Sequence, residues 1–229
     1  LLYFSFKVEF TKLLNLYLIF FLICFQGFIG WYMVSSGLVD KTDVSHFRLS
    51  LHLFIAFLIL SLIFWNYLKV RKNNKILNRI NPLIPFVFLV LIFVQIIIGA
   101  FVSGLDAGKI YNSWPLMGNA YFPDDNNYEN LFMLSALNNP SLVQFIHRNL
   151  AYLIGCFFIF IFYKIYSNKL NELYKIINLL GCFIILQILL GIFTVLYGAQ
   201  IYIASIHQIS SIFLVSSSIY FLYINTKFN

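Results

Sequence analysis

Six long runs of apolar residues, separated by short polar connections, form the pattern of this chain. They cover roughly residues 13–34, 49–68, 84–103, 142–163, 173–197 and 201–223. Each run approaches the roughly 20 residues that a helix needs to cross the hydrocarbon core of a bilayer. Backbone groups in lipid must bond internally, and the runs lack the alternation typical of barrel strands. The pattern therefore predicts an all-α integral membrane protein with six transmembrane helices.

The composition agrees with this class. Of the 229 residues, 61% are hydrophobic and 10% are charged, which is more apolar surface than a soluble domain hides. The net charge of +7 does not indicate a nucleic-acid partner, because the basic residues lie between the spans and not on one patch. They indicate topology and contacts with anionic lipid. Their bias predicts a multi-pass protein of the bacterial inner membrane with both termini in the cytoplasm.

The cysteines offer no conventional metal or disulfide motif. Cys24, Cys156 and Cys182 all lie inside apolar runs, and none belongs to a CxxC or CxxCH sequence. A zinc site and covalent haem attachment are therefore both disfavoured.

An internal repeat divides the six runs into three hairpins. The first run of each hairpin carries a glutamine and a glycine four residues apart, which places both on one helix face. The second run carries one histidine near its outer end. The repeated residues are Gln26 and Gly30 with His52, Gln95 and Gly99 with His147, and Gln187 and Gly191 with His207. The glycines either allow close helix packing or clear room for a flat macrocycle, while the glutamines hydrogen-bond within the bundle.

Three intramembrane histidines at one depth favour a haem site over purely structural hydrogen bonding. Imidazole is a common axial ligand of haem iron, and facing helices supply it readily. A proton relay would call for acidic residues within the spans, and zinc or copper for closer ligands. Arg148 and Arg48 are candidates to pair with haem propionates, with interface anchoring as the alternative. His46 is predicted to be a surface residue of the outer loop.

The long connection between the third and fourth runs carries the most specific motif. It contains Gly99-Ala-Phe-Val-Ser-Gly-Leu-Asp-Ala-Gly108 followed by Lys-Ile-Tyr-Asn-Ser-Trp-Pro-Leu-Met-Gly118. This segment resembles the signature loop of the haem A synthases of alphaproteobacteria and mitochondria. Further similar segments are Gln26-Gly-Phe-Ile-Gly-Trp-Tyr-Met-Val-Ser-Ser-Gly37, Arg48-Leu-Ser-Leu-His52, His147-Arg148 and His207-Gln208. They occur in the family's order over nearly the whole chain.

The resemblance implies a function and a set of partners. Members of this family oxidise a methyl group of haem O to a formyl group, which gives haem A for cytochrome oxidase. By motif, His147 and His207 are the axial ligands of a haem b cofactor, and His52 is the iron ligand of the substrate haem O. The implied partners are haem O, an electron donor such as a ferredoxin-type reductase, haem O synthase and a second copy of the chain.

The resemblance also implies a division into two halves. The family fold has eight helices in two four-helix halves, whereas this sequence shows three hairpins and opens on Leu1. Residues 1–83 are predicted to be the remaining hairpin of the substrate-side half with its basic linker. Residues 84–229 are predicted to be a complete haem b half with an outer loop over 104–141. We expect a truncated or split chain that lacks the family's first hairpin, with its acidic catalytic residue, and whose activity alone is in doubt.

Two other functions use parts of the same pattern. A b-type electron-transfer cytochrome without substrate chemistry would need the same histidines, and only the signature loop distinguishes it from the synthase. A small-solute transporter would carry broken helices and polar groups at mid-membrane. The polar residues here cluster near the outer side, which ranks the transporter third.

Overall fold

The computed structural model describes residues 10–37, 44–71 and 79–226, with side chains described from residue 14 onward and none for residues 36 and 37. These ranges contain six long helices, each with a stretch apolar and long enough to cross a membrane. They are α1 (Phe10–Gly37), α2 (His46–Val70), α3 (Leu83–Gly104), α4 (Pro140–Ser167), α5 (Tyr174–Leu196) and α6 (Ile201–Asn225). The predicted all-α membrane class and all six spans are confirmed.

Helix α4 shows how local sequence defines a helix start. The side chain of Asn139 accepts a hydrogen bond from the backbone N–H of Leu142 at 3.1 Å and so caps the helix. Pro140 occupies the first helical position, where its missing N–H costs nothing. The predicted span began at residue 142, and this cap explains why the helix begins two residues earlier.

Helices α3 to α6 form a four-helix arrangement. Helix α3 packs against α4 and α6, α5 packs closely against α6, and α4 meets α5 more loosely. Within the described residues, α4 and α6 are not among the closely packed pairs, so they occupy diagonal corners. Helix α2 packs against α1, α3 and α6, which joins the first hairpin to one side of this arrangement.

The main hydrophobic core lies toward one end of the four helices. Its fully buried members include Phe88, Ile161, Ile177, Val215 and Phe221. We call this end the inner end, because all three repeat histidines lie near the opposite, outer ends of their helices. A smaller core cluster, formed by Ile98, Phe101 and Val143, lies toward the outer end. Dense apolar packing thus closes the inner half of the bundle.

Hydrogen bonds to the end of α6 reinforce the inner end. The Arg79 guanidinium donates to the Thr226 carbonyl at 2.7 Å, and the Ile80 N–H donates to the Asn225 side chain at 3.1 Å. The Tyr223 hydroxyl donates to the carbonyl of Leu68 at 2.9 Å. These bonds fasten the inner ends of α2, α3 and α6 together.

The connection between α3 and α4 folds into an ordered outer loop, residues 105–139. It contains short 3-10 turns at Ala107–Lys109, Tyr128–Phe132 and Leu134–Asn138. Phe122 is buried and stacks on Tyr128, with ring centroids 4.1 Å apart. The predicted loop, 104–141, agrees with these bounds to within two residues.

The prediction that His46 lies on the surface is wrong. His46 is the first residue of α2, and its ring meets that of Phe101 edge-on at 5.3 Å. A Cβ built on Gly104 would lie 2.7 Å from the His46 Cβ, so α2 and α3 approach closely here. The His46 Nε2 is buried and has no hydrogen-bond partner among the described residues. The sequence places a polar residue before an apolar run, but only packing shows what covers it.

Candidate functional site

The second hairpin holds its histidine in a clamp formed by the glutamine and glycine of the repeat. The Gln95 amide nitrogen donates to the His147 carbonyl at 3.0 Å and lies 3.3 Å from the His147 Nε2. One turn along α3, an added Cβ on Gly99 would meet the His147 Cε1 at 3.1 Å. A side chain at this position would press on the imidazole ring, so glycine leaves the ring its room between α3 and α4.

The first hairpin repeats this geometry almost atom for atom. The Gln26 amide nitrogen donates to the His52 carbonyl at 3.0 Å and lies 3.2 Å from the His52 Nε2. A Cβ on Gly30 would lie 3.1 Å from the His52 Cε1. Neighbouring Gly27 has nothing within 4 Å of an added Cβ, so only the repeat glycine contacts the ring.

The third hairpin keeps the clamp but changes one contact. The Gln187 amide donates to the His207 carbonyl at 3.2 Å and to the Ser210 hydroxyl at 2.6 Å. A Cβ on Gly191 would lie 3.3 Å from the His207 Cε1. In the other two hairpins the glutamine amide nitrogen lies beside the ring Nε2. Here that nitrogen donates a hydrogen bond to the Ser210 hydroxyl. The His207 ring is thus held by position more than by hydrogen bonding.

The clamps give the glycines a role that neither hypothesis from the sequence named. Each glycine makes room for an imidazole, whereas the sequence suggested helix packing or room for a macrocycle. The glutamines hydrogen-bond within the bundle, as predicted. Ser210 was missed at the sequence level, although its spacing of three residues from His207 on one helix face was an available signal.

The three imidazoles keep an unsatisfied nitrogen. In His52, His147 and His207 the Nδ1 atom is buried and has no hydrogen-bond partner among the described residues. A buried polar atom without a partner costs free energy, so such atoms commonly have a ligand or solvent partner when the site functions. A neutral imidazole carries one nitrogen lone pair, which is the donor that haem iron takes. The donor set fits a haem group.

His147 and His207 form a pair, because both lie on helices of the four-helix arrangement α3 to α6. Each lies about two turns, or roughly 10 Å, from the outer start of its helix. Their helices occupy the diagonal corners of the four-helix arrangement. Histidines on facing helices of a bundle are a common way to hold a flat group between them.

Arg148 is buried, and its guanidinium holds the outer loop. One terminal nitrogen donates to the carbonyls of Ser113 and Leu116, at 2.9 and 3.3 Å, and the other donates to that of Tyr111 at 3.0 Å. The Nε atom has no partner among the described residues. Because Arg148 follows His147 directly, it ties the loop to the histidine-bearing turn. Pairing of this residue with a propionate stays a prediction.

Arg48 lies near the outer end of the first hairpin. Its guanidinium carbon is 5.1 Å from the centroid of the Tyr32 ring, a cation–π contact across α1 and α2. Arg48 lies one turn outward of His52, which places the guanidinium toward the outer boundary. The propionate role of Arg48 also stays a prediction.

The outer loop docks on both α4 and the turn between α5 and α6. Gln144, which is buried, donates to the Tyr111 carbonyl at 3.0 Å, and Trp114 donates to the Tyr152 hydroxyl at 3.0 Å. The Asn112 amide donates to the Val195 carbonyl at 3.0 Å. The loop therefore lies over the outer end of the half that carries His147 and His207.

A small network of polar side chains connects two parts of this loop to each other and to the start of α4. The Tyr111 hydroxyl donates to Asp124 and Asp125, and the Ser141 hydroxyl donates to Asp125 at 2.6 Å. Burial, and then the hydrogen bonds to the two carboxylates, raises the pKa of Tyr111 to about 12. Burial raises the pKa of Asp125, but the hydrogen bonds from Ser141, Asn126 and Tyr111 outweigh it and leave the pKa below its ordinary value.

These shifts predict the pH range of the network. Since the pKa of Tyr111 is raised from 10.0, its contribution is full below pH 10 and is lost as the pH approaches about 12. The lowered pKa of Asp125 gives a contribution that is full above pH 3.8 and is lost as the pH falls below that value. In an ultraviolet titration, the wild-type minus Tyr111→Phe difference should follow an ionisation near 12. Asp125→Asn should move this ionisation toward pH 10. A wild-type difference that already follows an ionisation at pH 10 would contradict the network.

Fold and site together define a class, that of polytopic membrane proteins whose helical hairpins each clamp one half-buried histidine. Residues 1–219 match the model of a family described as COX15-CtaA, cytochrome oxidase assembly protein. The chain belongs to this family.

Several curated relatives carry the name Heme A synthase. The chain is 50% identical to that of Pelagibacter ubique over 211 residues, which are 92% of this chain and 62% of the relative. It is 41% identical to that of Flavobacterium johnsoniae, over 87% of this chain and 60% of the relative. It is 41% identical to that of Rickettsia felis, over 98% and 68% respectively. The chain thus spans about three fifths to two thirds of the length of these relatives.

Proposed function

We propose that this chain carries haem-binding machinery of a haem A synthase, which oxidises a methyl group of haem O to a formyl group. The observation that carries the proposal is the pair of clamped imidazoles, His147 and His207, on diagonal helices beneath a docked outer loop. Family membership and relatives named Heme A synthase support the same function.

In the half formed by α3 to α6, His147 and His207 would hold a haem b through their imidazole nitrogens. When bound, its iron supplies one-electron transfer. The residues of the chain prepare this site. Gln95 and Gln187 fix the backbone at the two histidines, and Gly99 and Gly191 set the depth of the rings. The outer loop, held by Arg148, shields the site from water.

In the first hairpin, His52 binds the iron of the substrate haem O. Its clamp matches that of His147, which supports a common role for the two rings. Arg48, one turn further out, pairs with a propionate at the outer boundary, and Arg148 is the second candidate for such a pairing. Haem O is strongly apolar, so it reaches this cleft through the bilayer. The oxidation depends on the iron of the haem, and the protein orients the methyl group that reacts.

The partners and the location follow from the same proposal. The chain spans a bacterial inner membrane with both termini in the cytoplasm, as the distribution of basic residues predicts. It receives electrons from a donor such as a ferredoxin-type reductase and takes haem O from haem O synthase. Self-association into a homo-oligomer is part of the proposal.

The test measures conversion of haem O. The purified chain is incubated in air-saturated buffer, which supplies dioxygen as the oxidant, with haem O and an electron donor. The incubation is done with the chain alone and together with the remaining segment of the Pelagibacter relative, and the pigments are extracted. Haem A or its hydroxylated precursor supports the synthase. Haem B as the extracted pigment, with no conversion in either arm, would favour a b-type electron-transfer cytochrome that uses the same histidine pair.

A further inference from the structure

A cavity and a groove join at the seam between the first hairpin and the four-helix arrangement. The cavity, about 490 Å³, opens at the inner end between α2, α3 and α6, and its walls include Trp65, Leu222 and Thr226. The groove, about 310 Å³, runs along α2 and α3 and is lined by apolar side chains from Phe86 to Ile97. Phe86 lines both, so the two spaces are neighbours that meet at this side chain.

The groove has the dimensions of one leaflet. From Phe86 to Ile97 it follows α3 for about 17 Å at 1.5 Å per residue. The hydrocarbon core of a bilayer is about 30 Å thick, so a single leaflet contributes about half of that. One extended hydrocarbon chain that starts at the inner boundary would fill the groove to its end.

Positive charge surrounds the inner mouth of the cavity. The Arg79 guanidinium lies at the rim, because it donates to the carbonyl of Thr226, a wall residue. Lys69 lies one turn beyond Trp65 on α2, toward the inner boundary, and its side chain is exposed. Among the described residues, the acid at this end of the bundle is Glu172, which lies between α4 and α5 and away from the cavity.

The groove faces away from the histidine sites. Phe54, a groove residue, is two positions from His52, and Phe93 is two positions from Gln95. Residues two positions apart on a helix point to nearly opposite sides. The groove therefore lies on a different side of α2 and α3 from His52 and Gln95, and it opens toward lipid.

We propose that the cavity and groove bind one anionic glycerophospholipid, which seals the seam between α2 and α3. The phosphate lies at the mouth beside Arg79 and Lys69, and one acyl chain follows the groove to Ile97. The charge at the mouth selects the headgroup, and the apolar lining holds the chain. Basic pockets between helices at the inner boundary commonly bind such lipids.

The test uses Trp65 as the reporter. The full chain is reconstituted in vesicles of brominated phosphatidylglycerol or brominated phosphatidylcholine, and the tryptophan quenching of wild type is compared with that of Trp65→Phe to isolate Trp65. Phosphatidylglycerol should compete for the site more strongly than phosphatidylcholine. Lys69→Gln should reduce that preference about five-fold, the effect of one basic residue near an anionic headgroup. Val90→Phe, which narrows the groove, should reduce quenching by either lipid.

A matched control keeps the result specific. Lys175→Gln removes a basic residue at the same end of the bundle but near the start of α5, so it should leave the preference unchanged. Equal quenching by both lipids would overturn the headgroup assignment. A preference that survives Lys69→Gln, or that inorganic phosphate abolishes without any effect of Val90→Phe, would overturn the site.

Discussion

Replacing either His147 or His207 with alanine is expected to abolish the b-type haem spectrum of the purified protein. The two rings lie on diagonal helices, and each keeps a buried nitrogen without a partner among the described residues. Alanine removes one of the two imidazoles that would hold the haem, and its methyl group cannot bind iron. Reduced-minus-oxidised difference spectra of protein purified with its pigment measure the effect, and we expect loss of at least about ten-fold in bound haem, which corresponds to about 1.4 kcal/mol.

His46 supplies the matched control for this experiment. It is a histidine at the outer end of a membrane helix, but it packs on Phe101 and Gly104, and no glutamine clamp holds it. His46→Gln should therefore retain the b-type spectrum. If His147→Ala keeps the full spectrum while it remains folded, the assignment of the pair as axial ligands is wrong.

The second large effect is expected from replacing Gly99, which has no side chain to bind a ligand but lies against the His147 ring. A Cβ on Gly99 would lie 3.1 Å from the His147 Cε1, closer than ordinary van der Waals contact. Gly99→Val adds two further methyl groups at this point and drives the imidazole out of position. Overpacking of this kind costs about 1–3 kcal/mol, so haem content should fall by about five-fold or more. Haem per protein after purification is the measurement.

Two comparisons make this prediction specific. Gly155 lies on α4 and has nothing within 4 Å of an added Cβ, so Gly155→Val changes helix propensity by the same amount without touching a histidine. Its haem content should match wild type. Gly191→Val should be milder than Gly99→Val, because the contact to His207 is longer, at 3.3 Å. Equal haem content in Gly99→Val and Gly155→Val would contradict the clamp.

The helices were predictable because burial of apolar residues in the bilayer acts on each helix independently of the others. Transfer of about 20 apolar residues into hydrocarbon requires internal backbone bonding, whatever the neighbouring helices do. The spans therefore agree with the structure to within a few residues, as with 84–103 against Leu83–Gly104. The depth of His52, His147 and His207 follows directly from their distance to the helix starts.

The partners of particular side chains were not predictable in this way. The sequence suggested a propionate or the membrane interface as the partner of Arg148, and it gave no sign that the guanidinium also donates to three loop carbonyls. His46 was expected at the surface and packs between α2 and α3. These outcomes depend on the rotation of each helix about its axis and on the path of a 35-residue loop, 105–139. Neither is encoded in the local periodicity.

The glycines of the repeat show most clearly which features follow from the sequence and which follow from tertiary packing. Sequence alone determined the membrane class, the six helices, the threefold repeat and the level of the histidines, because hydrophobic length and spacing act within one helix. Only the tertiary structure decided that Gly30, Gly99 and Gly191 each receive an imidazole from the following helix. It also decided that α4 and α6 stand at diagonal corners. Those facts arise between helices, where the fit of side chains against one another selects a single arrangement.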